Sequence, residues 1–141
     1  MAKSGPILIV EDDPDDQEIY KQIIKDIGVQ NKIIFFSLAS DGLEYLKETT
    51  EQPFVILCDI NLPVINGIQF KQRIDSDPYL RRKSIPFIFF STSAEKSQVH
   101  KGYTELTVQG FFKKEYSVEE MSKSLSVIFA YWELCKHPNS E

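Results

Sequence analysis

Five short apolar runs punctuate the chain, and between them apolar residues recur at helical spacing. The runs are Ile7-Leu8-Ile9-Val10, Ile33-Ile34-Phe35-Phe36, Phe54-Val55-Ile56-Leu57-Cys58, Phe87-Ile88-Phe89-Phe90 and Gly110-Phe111-Phe112. A run apolar on both alternating faces suits a strand covered on both sides, as in a parallel sheet between helices. After the first run, Pro14 suits a helix first turn, and Asp15, Asp16 and Glu18 suit its positive N-terminus. Ile19, Ile23 and Ile27, widened by Tyr20 and Ile24, make one amphipathic stripe that Gly28 ends.

Further along, Asp41-x-x-Glu44 has capping-box spacing and predicts a short helix carrying Leu43 and Leu46. Asn66 is expected to cap a helix with Phe70 and Ile74 that ends near Asp77-Pro78. Arg81-Arg82-Lys83 reads as a solvated basic turn, and His100 and His137 as ordinary surface residues. Thr92-x-x-Glu95 has capping spacing before Ala94–Leu106, where Gly102 costs about 1 kcal/mol relative to Ala. This segment is expected to be weakly held and mobile. Ser117-x-x-Glu120 opens the last helix, with one stripe of Met121, Leu125, Ile128, Trp132 and Cys135 and a second of Val127, Tyr131 and Leu134.

Strand and helix thus alternate five times. Short connections and right-handed crossovers predict a flavodoxin-like, doubly wound (βα)5 fold whose five-stranded parallel sheet has the order 2-1-3-4-5. Residues 1–141 are expected to form one domain with a core of about 6–136.

Composition changes this picture little. Of 141 residues, 42% are hydrophobic and 26% charged, and the net charge of −5 comes with no long basic run, which argues against a nucleic-acid partner. No apolar run approaches the roughly 20 residues of a membrane span, and the apolar start is too short for a secretory signal. Cys58 and Cys135 lack framework or metal-ligand spacing, so a cytoplasmic location is expected.

The chemistry lies where the strands end. The topology brings Glu11-Asp12, Asp59, Ser91 and Lys114 to one edge of the sheet. Crowded carboxylates share protons or hold a cation, and an all-oxygen set favours Mg²⁺. A metal, an ammonium and a hydroxyl together are equipment for stabilising a transferring phosphoryl group, with a carboxylate as nucleophile.

At these residues the chain resembles the receiver domains of two-component response regulators. The matching motifs are ILIVEDD, CDINLPVING, FFST and FFKK, in receiver order and spacing over about residues 6–136. The resemblance implies that Asp59 accepts a phosphoryl group from a phosphohistidine on a sensor histidine kinase or phosphotransfer protein. It implies that Asp12 ligates Mg²⁺ directly, Glu11 mostly through water, and Asn61 through its backbone carbonyl. Ser91 would hydrogen-bond the phosphoryl group, Lys114 would pair with it, and Phe111 would be the switch aromatic. Asp13 is a third choice among the first acids, and Lys113 would put Gly110 at the aromatic position.

The chain departs from the family pattern in two places. Glu115 stands where Pro is usual after the lysine, implying a reshaped trans loop or a strained cis bond. Thr92 replaces a small residue beside Ser91. Asn61, Thr92 and Ser93 fall at positions that tune dephosphorylation in the family. Lys136–Glu141 is too short for an effector domain, so output through contact with a downstream protein is expected. The spelling resembles stand-alone receivers paired with phytochrome-type kinases, which implies a possible homodimer through the last helix. The reading is of a signalling protein rather than a conventional enzyme. Its main rival is a pseudo-receiver, an interaction module independent of phosphorylation. A haloacid-dehalogenase-type phosphatase would need a second acid where Asn61 stands, and a flavodoxin would need hydroxyls rather than acids after the first strand.

Overall fold

The apolar runs are strands, and their side chains divide by parity between two cores. β1 (Ile7–Val10), β2 (Ile33–Phe36), β3 (Val55–Cys58), β4 (Phe87–Ser91) and β5 (Gly110–Lys113) form one parallel sheet in the order β2-β1-β3-β4-β5, as the pattern predicts. The computed structural model describes residues 2–92, 95–114 and 117–138. Leu8, Val10, Ile56, Cys58, Phe87 and Phe89 enter one core, and Ile7, Ile9, Val55, Leu57, Ile88 and Phe90 the other. The alternation arises because successive side chains of a strand point to opposite faces.

Helices α1 (Pro14–Ile27) and α6 (Val118–Leu134) cover one face through Tyr20, Ile23, Ile24, Leu125, Ile128 and Phe129. α2 (Ala39–Glu48), α3 (Gly67–Ser76) and α4 (Pro78–Lys83) cover the other through Leu43, Leu46, Phe70, Ile74 and Leu80. α5 (Lys96–Glu105) lies against β5. Gly28, at φ 92°, ends α1 in the left-handed conformation that costs glycine nothing. Among the described residues, no helix is long and apolar enough to cross a membrane.

Several local expectations need correction. α2 starts earlier, after Leu38, so Asp41 lies inside its first turn rather than capping it. Arg81-Arg82-Lys83 is the last turn of α4, which Asp77 caps through bonds from the Tyr79 and Leu80 amides. Lys83 is buried, its Nζ donating to the Thr49 carbonyl at 3.2 Å. Glu95, not Thr92, stands at the N-cap of α5, in a capping box with Gln98. Lys71 is also buried, paired with Asp75 at 3.0 Å. Asp75 accepts bonds from the Thr107 amide and hydroxyl at 2.8 and 2.7 Å. Burial raises the Asp75 pKa, but the Thr107 bonds and the Lys71 charge outweigh it and leave the carboxyl below its ordinary value.

His137 is the largest departure. It is 1% exposed, its ring nitrogen lies 2.8 Å from the Phe54 carbonyl oxygen, and its ring stacks on Phe54 and meets Trp132 edge-on. The residue thus fastens the end of the chain to the start of β3. His137→Ala is expected to lower the unfolding free energy by about 1–3 kcal/mol. His100→Ala, at an exposed position, should shift it by less than about 0.5 kcal/mol. Urea titration followed by Trp132 fluorescence measures both.

Candidate functional site

Parallel pairing brings the acids together. Val10 is in register with Cys58, so Glu11 and Asp12 leave β1 beside Asp59 as it leaves β3. The Asp59 amide bonds the Val10 carbonyl at 3.1 Å. On the other side, Ser91 ends β4, and the Lys114 amide donates to its carbonyl at 2.8 Å. Asp13 caps α1 by accepting the Asp15 amide at 2.9 Å.

Both oxygens of Asp59 have partners. The Ser91 hydroxyl and the Asn61 amide donate to Oδ1 at 2.9 and 3.1 Å. Lys114 Nζ lies 3.2 Å from Oδ2, 3.1 Å from Asp16 Oδ2, and in direct contact with Glu11 Oε1. The Asp59 side chain is 11% exposed and that of Lys114 6%. The backbone after Asp59 is packed as tightly. A Cβ on Gly67 would fall 2.2 Å from the Asp59 carbonyl oxygen, so only glycine lets α3 begin there. Val64, in the same loop, is held at φ 65° in a three-residue turn closed by the Ile65 amide on the Pro63 carbonyl at 2.7 Å. Such a turn strains a β-branched residue.

Burial alone would push the Lys114 ammonium toward neutrality. The Glu11 hydrogen bond and charge, then Asp59 and Asp16, more than reverse this, so its pKa lies above the ordinary lysine value and the side chain stays charged. Burial raises the Glu11 carboxyl, and the Lys114 bond only partly offsets it. Burial, then the charges of Asp59 and Glu11, push the Cys58 thiol well up. Cys58 therefore remains a thiol, lying 3.1 Å from the Asp59 carbonyl oxygen, and does not compete as a nucleophile.

Glu11, Asp12 and Asp59 each offer a carboxylate oxygen within 4.8 Å of the others. The set holds no His or Cys, so its donors fit a hard divalent cation. Asp12 is exposed, which leaves that side of the cluster open to water.

A family model, the response regulator receiver domain, matches residues 7–126. The chain belongs to that family. This receiver is 27% identical over 131 residues to Response regulator Rcp1 of Synechocystis sp., covering 89% of this chain and 87% of that protein. A solved structure of the Mn²⁺-bound form of Rcp1 superposes with a TM-score of 0.82 at 26% identity, covering 94% of this chain and 98% of that one. The bacteriophytochrome response regulator RtBRR is 30% identical, with a TM-score of 0.71, covering 88% of this chain and 76% of that one.

The receiver fold gathers Glu11, Asp12, Asp59, Asn61, Ser91 and Lys114 at one edge. Phe111 packs at a tilt against Phe89 one strand over, with ring centroids 4.9 Å apart. Thr92 is exposed beside Ser91, and Ser93 and Glu115 lie outside the described residues. Two residues escaped the sequence reading. Asp16 looked like a helix-dipole acid, but the first turn of α1 aims it at Lys114. Gln17 donates to the Glu11 carbonyl at 2.6 Å and fixes the exit from β1.

Lys114→Met leaves three carboxylates facing one another and should cost about 3 kcal/mol at neutral pH. Lys114 is protonated in both folded and unfolded chains below the ordinary lysine pKa, so the cost should hold steady from neutrality up to that range. It should shrink as pH falls and Glu11, whose carboxyl pKa is raised by burial, takes up a proton. Denaturant unfolding at several pH values measures the difference.

Proposed function

We propose that residues 6–136 act as one phosphate-accepting receiver. Asp59 takes a phosphoryl group from a phosphohistidine of a sensor histidine kinase or phosphotransfer protein. The observation that carries this reading is the double hold on Asp59, Ser91 and Asn61 on one oxygen and Lys114 on the other.

An Asp59 oxygen attacks phosphorus, the P–N bond of the donor breaks, and its electron pair returns to the imidazole nitrogen. The product is an aspartyl phosphate. Lys114 stands ready to pair with the new phosphoryl oxygens, and the Ser91 hydroxyl to donate to them. Glu11, Asp12, Asp59 and the Asn61 carbonyl would hold Mg²⁺, which supplies neutralisation of the phosphoryl oxygens. That Rcp1 has a Mn²⁺-bound form supports binding of a divalent ion by this receiver. The likeness to RtBRR supports a phytochrome-type kinase as the donor.

The product adds up to two negative charges beside Ser91 and Lys114. Ser91 moves toward them, Phe111 follows, and a downstream protein reads the altered β4–α5–β5 surface. Val127, Tyr131 and Leu134, exposed on α6 at 56%, 58% and 88%, offer an apolar face to a second copy.

Incubation with acetyl phosphate and Mg²⁺ should add one phosphoryl mass to the parent and none to Asp59→Asn; chelation of Mg²⁺ should abolish the gain. A folded parent that gains nothing would instead be a phosphorylation-independent interaction module. Thr92 is exposed and lines the cleft beside Ser91, so phosphoryl-Asp59 should decay faster in Thr92→Ala, followed by the same mass shift over time. Equal lifetimes would remove the steric role of Thr92.

A further inference from the structure

Gly102 is the buried residue of α5, although it is the poorest helix former there. A Cβ at this position would lie 2.4 Å from Cζ and 2.5 Å from Cε2 of Phe111. The ring therefore sits directly against the helix backbone, in a notch that any side chain would fill. The next residue grips the same partner from outside. The Tyr103 hydroxyl accepts the Phe111 amide N–H at 3.1 Å, and the two rings lie 5.2 Å apart. β5 is an edge strand, so this amide points away from the sheet and would otherwise face water. Beyond the ring, a cleft of about 530 Å³ reaches Ser91 past Thr92 and Val99. Phe111 thus has one occupied berth, under Gly102, and open space on the side of Ser91.

We propose that Gly102 and Tyr103 are positioning residues, a clasp that holds Phe111 in the berth under α5 and so ties the docking of α5 to the position of that ring. Movement of the ring toward Ser91 empties the notch and frees α5. Only the trigger for that movement rests on the reading of Asp59 as phosphoacceptor. Gly102 is then the point at which α5 docks on Phe111.

Amide hydrogen exchange on the full chain tests it through a reversal of sign. An ordinary helix glycine gains protection on replacement by Ala. The clasp predicts that Gly102→Ala speeds exchange of the α5 and Phe111 amides by about fivefold or more, because the added methyl evicts the ring. In a Phe111→Ala background, where no ring remains, the same Gly102→Ala change should slow α5 exchange. Tyr103→Phe should speed the Phe111 amide by about two- to tenfold and leave the Gly102–Phe111 ring contact, seen as a proton cross-relaxation signal, in place. Adding Mg²⁺ and beryllofluoride, a phosphoryl mimic, should loosen α5 in the parent and have a smaller effect in Gly102→Ala. Slower α5 exchange in Gly102→Ala with Phe111 intact would overturn the clasp. Sign reversal without any response to beryllofluoride would uphold the clasp and count against the trigger.

Discussion

One ammonium group joins most of the functional edge. Lys114 Nζ meets Glu11 after β1, Asp16 in α1 and Asp59 after β3, while its own backbone amide is bonded to Ser91 at the end of β4. Without that charge, three carboxylates would be brought together in a mostly buried space, and their repulsion would open the edge. With it, the strand ends are tied together, and part of the negative charge is offset at one point. The same arrangement suits the site to chemistry. Under the proposed function, a phosphoryl group on Asp59 would arrive as further anion where an ammonium, a hydroxyl and an open acidic cluster already converge, so little reorganisation would be needed.

The fold was legible because its signal is repeated. Each strand is a short run with both parities apolar, and each parity finds its own core: Ile56 and Phe87 on one side, Val55 and Ile88 on the other. The site was legible for a related reason. Ser91 closes β4, and Asp59, Glu11, Asp12 and Lys114 stand within two residues after their strands; in a parallel sheet the carboxyl ends of the strands share an edge. A position set by topology can be read from the order of the elements alone.

What stayed hidden depends on tertiary contact. His137 lies in a polar tail, and nothing nearby in sequence says that its ring meets the Phe54 carbonyl and Trp132. Lys83 follows two exposed arginines, yet its ammonium turns inward to the Thr49 carbonyl. The two informative glycines show the limit best. Gly67 was only the last letter of the CDINLPVING motif, and Gly102 looked like a defect in a helix. Both are points of close approach, one to the Asp59 backbone and one to the Phe111 ring. A missing Cβ carries no pattern of its own; its use appears only when the neighbour is in place.

Asp59, rather than a neighbouring acid, is proposed to carry the phosphoryl group. Borohydride reduction of the phosphorylated chain, followed by peptide mass mapping, tests this at the level of the residue. An aspartyl phosphate is reduced to homoserine, and homoserine is expected at position 59 alone. Homoserine at Asp12 or Asp13, with Asp59 unchanged, would contradict it.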